Sequence, residues 1–181
     1  MNASLLQTLL TSFETVGVSW ELAENPIAAR LALLSYLSEL GRKDIVAWDP
    51  EALPLSDLKS AMADVGMRLH AIQQGHLEPE GMVGLTGADA ALADSGTLVF
   101  VQGAGRSWLP GLLPLHHVVL LPVRRIFPDL RSWYGAWHTT RPQDVSRALL
   151  VTGLSVNDDI ELHAHHGLFG PGRMHVLVFE A

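Results

Sequence analysis

Two Thr-Gly steps, Thr86-Gly87 and Thr152-Gly153, each stop an apolar run and are followed within a few residues by carboxylates. Chains do this where strands end in a crevice, with backbone N–H groups at the start of a following helix facing an anionic or carbonyl-bearing ligand. Near the first step, Asp94, Ser95, Gly96 and Thr97 place a carboxylate and two hydroxyls at the rim. Near the second stand Ser155, Asn157, Asp158 and Asp159, with Gly170 further on. Together with Thr86, Gly87, Thr152, Gly153 and the strand-leading His117, these form the candidate ligand-binding set. Asp94, His117 and Asp159 are the candidate acid–base groups. No set of nucleophile, base and oxyanion donors is visible, so the catalytic residues stay unassigned. The same residues also read as plain helix punctuation: Thr86 as a cap answered by Asp89, Gly96 as a helix stop, and the later acids as partners of a helix dipole.

The run Asp158-Asp159-Ile160-Glu161-Leu162-His163-Ala164-His165-His166 holds the ingredients of a mononuclear metal site, with Glu161, His163 and His166 as candidate ligands. Its spacing matches no fixed metal motif, and neighbouring side chains cannot all converge on one ion. No metal or other cofactor is expected. Trp108 lies in a Gly- and Pro-rich loop two residues from Arg106, the pairing common in interface anchors. Trp108, Arg106 and Trp133 are therefore the candidate partner contacts.

The 181 residues contain no cysteine, which excludes disulfides, a thiolate nucleophile and a cluster held by the chain itself. A net charge of −7 disfavours general nucleic-acid binding. No stretch approaches the roughly 20 apolar residues of a membrane span. The first residues also lack the basic start of a signal peptide. The expectation is one cytoplasmic domain with no membrane insertion.

The elements that must position these residues follow from periodicity. Leu5, Leu6, Leu9, Leu10 and Phe13 predict a first helix. Asn25-Pro26 opens a second, with Ile27, Leu31, Leu34, Leu37 and Leu40 as its stripe and Gly41 as its stop. Residues 45–48 and 67–72 read as strands, and residues 55–65 as a helix. From Val83 on, the pattern predicts strands at 83–87, 97–102, 117–121, 148–152 and 174–179. Short helices are expected after each Thr-Gly step, with a longer one over 125–137. Near-continuous apolar strands alternating with helices predict an α/β fold: an open, mostly parallel sheet covered by helices, with a helical N-terminal part carrying short strands over 1–72 and an α/β part carrying the motifs over 82–180. Residues 73–81 are the only plausible joint.

Four ordered segments resemble the LUD domain, the lactate utilization protein C (LutC/YkgG) family. They are G-L-T-G-A-D-A-A-L-A-D-S-G-T-L-V (84–99), L-L-P-L-H-H-V-V-L-L-P (112–122), V-T-G-L-S-V-N-D-D-I-E (151–161) and G-L-F-G-P-G-R-M-H-V-L-V (167–178). Asp94-Ser95-Gly96-Thr97 stands where the family shows Glu-Thr-Gly-Thr, and Pro114 and His117 suit its middle motif. Leu154 replaces a family proline, Val156 an arginine and Phe169 a histidine, the pattern of a divergent member. The resemblance implies a fold similar to the NagB/RpiA/CoA-transferase-like group. It also implies an accessory, non-redox role in bacterial oxidation of L-lactate or a related organic acid to pyruvate. There the chain would bind a small anion, or iron–sulfur partner proteins, at the strand-end crevice. The alternative is an enzyme of that fold group acting on a CoA thioester, sugar phosphate or folate.

Overall fold

The structure is a computed structural model that describes residues 3–71, 82–158, 164–166 and 170–181. The candidates Asp159, Glu161 and His163, the departure at Phe169 and the joint at 73–81 lie outside the described residues.

In chain order the elements are α1 (Ala3–Thr15), β1 (Ser19–Ala23), α2 (Pro26–Glu39), β2 (Asp44–Ala47), α3 (Leu58–Asp64), β3 (Arg68–Ala71), β4 (Val83–Gly87), β5 (Ala90–Leu92) and β6 (Thr97–Val101). There follow α4 (Leu109–Leu112), β7 (His116–Pro122), β8 (Ile126–Phe127), α5 (Leu130–Thr140), α6 (Pro142–Val145), β9 (Ala148–Thr152), β10 (Val156–Asp158), β11 (Ala164–His166) and β12 (Arg173–Phe179). Six strands form a sheet in the order β1-β12-β7-β4-β2-β3, with every pairing parallel. This is the expected open α/β sheet.

The start of α2 follows its sequence signal. The Asn25 side chain accepts from the Ile27 and Ala28 N–H groups at 3.0 and 2.9 Å, satisfying donors that the helix itself leaves free. Its buried face is Ala29, Leu33 and Leu37, however, and the expected stripe residues Ile27 and Leu31 are 69% and 65% exposed. This face of α2 covers β1, β12 and β7. The strand β1 interrupts the expected helical N-terminal part.

The second departure is larger. Among the described residues no helix follows either Thr-Gly step: β5 comes after the first and β10 after the second. A four-stranded sheet, β8-β5-β6-β9, is antiparallel at β5–β6 and β6–β9. Thus 97–102 and 148–152 are strands as expected, but of this second sheet. The chain crosses between sheets in two residues: Ala88 N–H donates to Leu120 O of the first sheet, and Asp89 N–H to Val99 O of the second.

Alternation then divides the second sheet's residues. Ala91, Ala93, Leu98 and Phe100 join the main core, whereas Ala90, Leu92, Val99 and Val101 pack with Trp133 of α5 in a smaller one. No helix among the described residues is long and apolar enough to cross a membrane.

Candidate functional site

The expected ligand set divides into separate groups. Thr86 Oγ1 and His117 Nε2 share a buried hydrogen bond of 2.8 Å, because β4 and β7 are neighbours and both residues face α4. Gly111 of α4 lies directly on the imidazole, so that a Cβ there would come within 2.9 Å of His117 Cε1. Burial, with His116 beside it, pushes the His117 imidazole down to about 3. Only 1% exposed, this ring is neutral and sealed. It does not stand at a crevice end as expected, since it lies near the amino end of its strand, under α4. A general base must reach substrate, and His117 does not.

Above this pair, Trp48, Thr86, Phe100, Trp108 and Gly111 are among the residues lining a narrow pocket between the two sheets, with about 10 Å³ of free space. That is room for about one water. Trp48 Nε1 donates to Ser107 O at 2.8 Å, whereas Trp108 Nε1 is buried without a partner among the described residues. Trp108 is half-buried against the core and forms the wall of this pocket, not a protruding anchor. Trp133, the other expected contact, is 2% exposed and belongs to the smaller core. The helix α5 turns Tyr134 outward instead, at 47% exposure.

A second group is a chain of hydroxyls at the far end of the second sheet. Thr97 Oγ1 lies 2.8 Å from Ser95 Oγ and 2.7 Å from Thr152 Oγ1, since Thr97 and Thr152 are direct partners across β6 and β9. Gly96 and Gly153 adjoin them, both at positive φ and both tight against the end of α1 and the residue after it. A Cβ at Gly153 would fall 2.7 Å from Val16 O. Asp94 is exposed at this turn. Ser155 and Gly170 form a third group, joined by the Ser155 N–H bond to Pro171 O at 2.9 Å and by contact of Gly170 with the Ser155 side chain. Leu154 packs near Gly17. Of His166 and Val156 the backbone places are known, in paired strands β11 and β10. Among the described residues no group of three or more His, Asp or Glu is placed to hold a metal ion.

The crevice beyond the carboxyl ends of β2 and β4 is open and holds about 420 Å³, with Asp49, Glu51, Gly105 and Arg106 in its lining. Gly105 has φ 68° and lies so close to Asp49 that a Cβ would meet Asp49 Oδ2 at 2.7 Å. Arg106 donates through Nη1 to Asp89 Oδ1 at 2.6 Å and sits over the Trp48 ring, 5.9 Å from its centroid. Asp89 Oδ2 accepts the Val101 N–H at 2.8 Å. Burial pushes the Asp89 carboxyl up, against the pull of the Val101 N–H, Arg106 and Arg125. The guanidinium is therefore already committed to Asp89, and the free charges facing the crevice are the Asp49 and Glu51 carboxylates. Such a lining favours a donor-bearing or cationic guest over an anion.

Asp89 was read from the sequence only as a cap. The signal for its larger role is a lone carboxylate inside the small apolar run Ala88–Ala93, which demands a cationic partner once buried.

Residues 80–179 match the model of the LUD domain, more than half of the chain. The chain belongs to the LUD domain family. A lactate utilization protein C from Halalkalibacterium halodurans is 26% identical over 160 residues, 82% of this chain and 68% of that protein. Similar proteins of the same name occur in Anoxybacillus flavithermus, 32% identical over 49% of this chain and 40% of that protein, and in Macrococcus caseolyticus, 24% identical over 77% and 62%. In the last two the match spans less than two thirds of the relative's own length. The fold of this LUD chain is shared with a DUF162 family protein from Deinococcus radiodurans, with a TM-score of 0.69 at 20% identity over 99% of this chain and 98% of that one. Within the LUD match lie Thr86, His117, Asp89, Arg106 and the hydroxyl chain, whereas Trp48, Asp49 and Glu51 precede it.

Proposed function

We propose that this LUD chain is an accessory, non-redox component of a system oxidising L-lactate or a related organic acid to pyruvate, and that it acts by recognising partner proteins that carry iron–sulfur clusters. The observation that carries the reading is its similarity, over as much as 82% of its length, to proteins named lactate utilization protein C. Oxidation of lactate to pyruvate removes two electrons and two protons. A chain without cysteine has no thiolate to ligate a cluster, so the electrons must be carried by partners or by a soluble cofactor.

Recognition fits the surface around α4. Leu109, Leu113 and Leu115 are 41%, 44% and 54% exposed beside the Trp108 loop, and the acidic crevice of Asp49 and Glu51 opens next to Arg106. An exposed apolar patch suits a partner presenting apolar side chains of its own. The sealed, neutral His117 lends no support to the rival reading, an acid–base enzyme of the same fold group.

Deletion of the gene should slow or abolish growth on L-lactate while leaving growth on pyruvate intact. Undiminished growth on lactate overturns the proposal.

A further inference from the structure

A second cavity, of about 410 Å³, opens at the amino ends of the parallel strands, the sheet edge opposite the acidic crevice. Its lining includes Arg42, His116 and Arg173, with Leu40, Val83 and Leu115 as an apolar floor. Three features distinguish it. First, Arg42 and Arg173 line one space whose described lining holds no carboxylate, and neither has an ion pair among the described residues. Second, the His116 ring is fixed in place. Its Nε2 shares a 2.9 Å hydrogen bond with the Tyr36 hydroxyl, and Tyr36 in turn stacks on His175 at 3.9 Å. His175 Nδ1 is anchored by Ser19 Oγ at 2.9 Å, which closes the chain of support. His116 Nδ1 has no hydrogen bond among the described residues. Third, positive and apolar lining meet in one space. A guanidinium is weakly hydrated and grips planar or tetrahedral oxyanions with two parallel N–H groups. The volume is at the small end of ligand pockets, which run from about 300 to 1,000 Å³.

We infer that this amino-end cavity binds a small amphipathic organic anion. Its carboxylate or phosphate head is held between Arg42 and Arg173 and hydrogen-bonded by His116, and its short hydrocarbon body lies on Leu40, Val83 and Leu115. Burial and Arg173 hold the His116 imidazole below its ordinary value, so the ring meets the ligand as a neutral hydrogen-bonding group. The site shares Leu115 with the apolar surface around α4, but it does not depend on a role in lactate oxidation.

Calorimetric titration of the full chain with hexanoate, hexyl phosphate and hexan-1-ol at constant ionic strength tests this. At least one anion should bind about tenfold more tightly than the alcohol, a difference of about 1.4 kcal/mol. The tighter of the two identifies the head group. Arg42→Gln and Arg173→Gln should each weaken anion binding about fivefold or more, and the His116 ring protons should shift in the NMR spectrum as the anion is added. An alcohol that binds as well as the anions overturns the proposal. So do binding indifferent to both substitutions and failure of both anions to bind the unaltered chain. Should a substitution unfold the protein, the ring-proton titration of the unaltered chain decides, and an unmoved His116 overturns the site.

Discussion

Thr86 and His117 stand 31 residues apart in the chain, yet they share a buried hydrogen bond of 2.8 Å at the heart of the parallel sheet. Thr86 is the imidazole's only side-chain partner among the described residues, since His117 Nδ1 is buried without one. Thr86→Val keeps the shape and removes that partner. A buried polar group left unpaired costs about 1–3 kcal/mol, and urea denaturation should register a loss of that size. A smaller loss in the double variant Thr86→Val/His117→Phe than in Thr86→Val alone would identify the unpaired imidazole as its cause.

The same burial makes stability depend on pH. His117 and His175 titrate at about 3 and about 4 in the folded chain, driven down chiefly by desolvation, against an ordinary 6.5. Between those values the unfolded chain binds protons that the native chain refuses. Stability therefore falls as pH drops below about 6.5, by up to about 1.4 kcal/mol per pH unit for each such group. Urea midpoints measured from pH 7 to pH 4.5 should decline, and the decline should be shallower in His117→Phe.

Asp89 and Arg106 form a coupled pair at the crevice. Asp89→Ala strands both the Val101 N–H and the Arg106 guanidinium, and should cost about 3 kcal/mol, at the lower bound for a broken buried pair because the arginine is partly exposed. Removing Arg106 as well should cost less than the sum of the single changes. A thermodynamic cycle over Asp89→Ala, Arg106→Gln and the double variant measures the coupling, and simple additivity would refute it.

The two tryptophans among the candidate partner contacts should behave differently. Trp133→Ala empties the centre of the smaller core and should destabilise by about 3–5 kcal/mol. Trp108→Ala, at the half-buried pocket wall, should cost less. Thermal unfolding of the two variants side by side checks the ranking.

Gly84 sits beneath α4 so closely that a Cβ would overlap the Pro110 carbonyl oxygen. Gly84→Ala must lift α4 off the sheet. The expected result is a stability loss of about 1–3 kcal/mol and altered Trp108 fluorescence, as its pocket opens to water.

Much of the architecture was legible because burial writes itself into the sequence as apolar runs. The strands β4, β7 and β12 and the start of α2 at Asn25-Pro26 were readable on that basis. The failures share one physical origin, namely that an apolar run says a segment is covered without saying by what. β6 looks like a strand of a parallel sheet because it is also covered on both faces, by the main core on one side and by the smaller core with Trp133 of α5 on the other, whereas β9 leaves Leu150 exposed on one face. The alanines of the run at 88–93 favour a helix in isolation. Ala90, Ala91 and Ala93 are fully buried in the structure, where their small size fits a strand between two packed layers. The candidate site suffered more. Local sequence marks Thr86, Thr97 and Thr152 as alike, and only strand pairing sends the first to His117 and the other two to each other. The amino-end cavity draws Arg42, His116 and Arg173 from three distant segments, a convergence no local motif announces.

The position of β12 has a consequence for how the chain comes into being. This strand runs between β1 and β7, so β1 waits for residues 173–179 before it gains a neighbour in the sheet. On the ribosome the first strand must remain unpaired while more than 150 further residues emerge. Contacts spanning such separations slow folding. Until β12 is made the nascent sheet therefore carries an open edge, and a chain halted before residue 173 would leave that edge exposed to chaperones and to other chains.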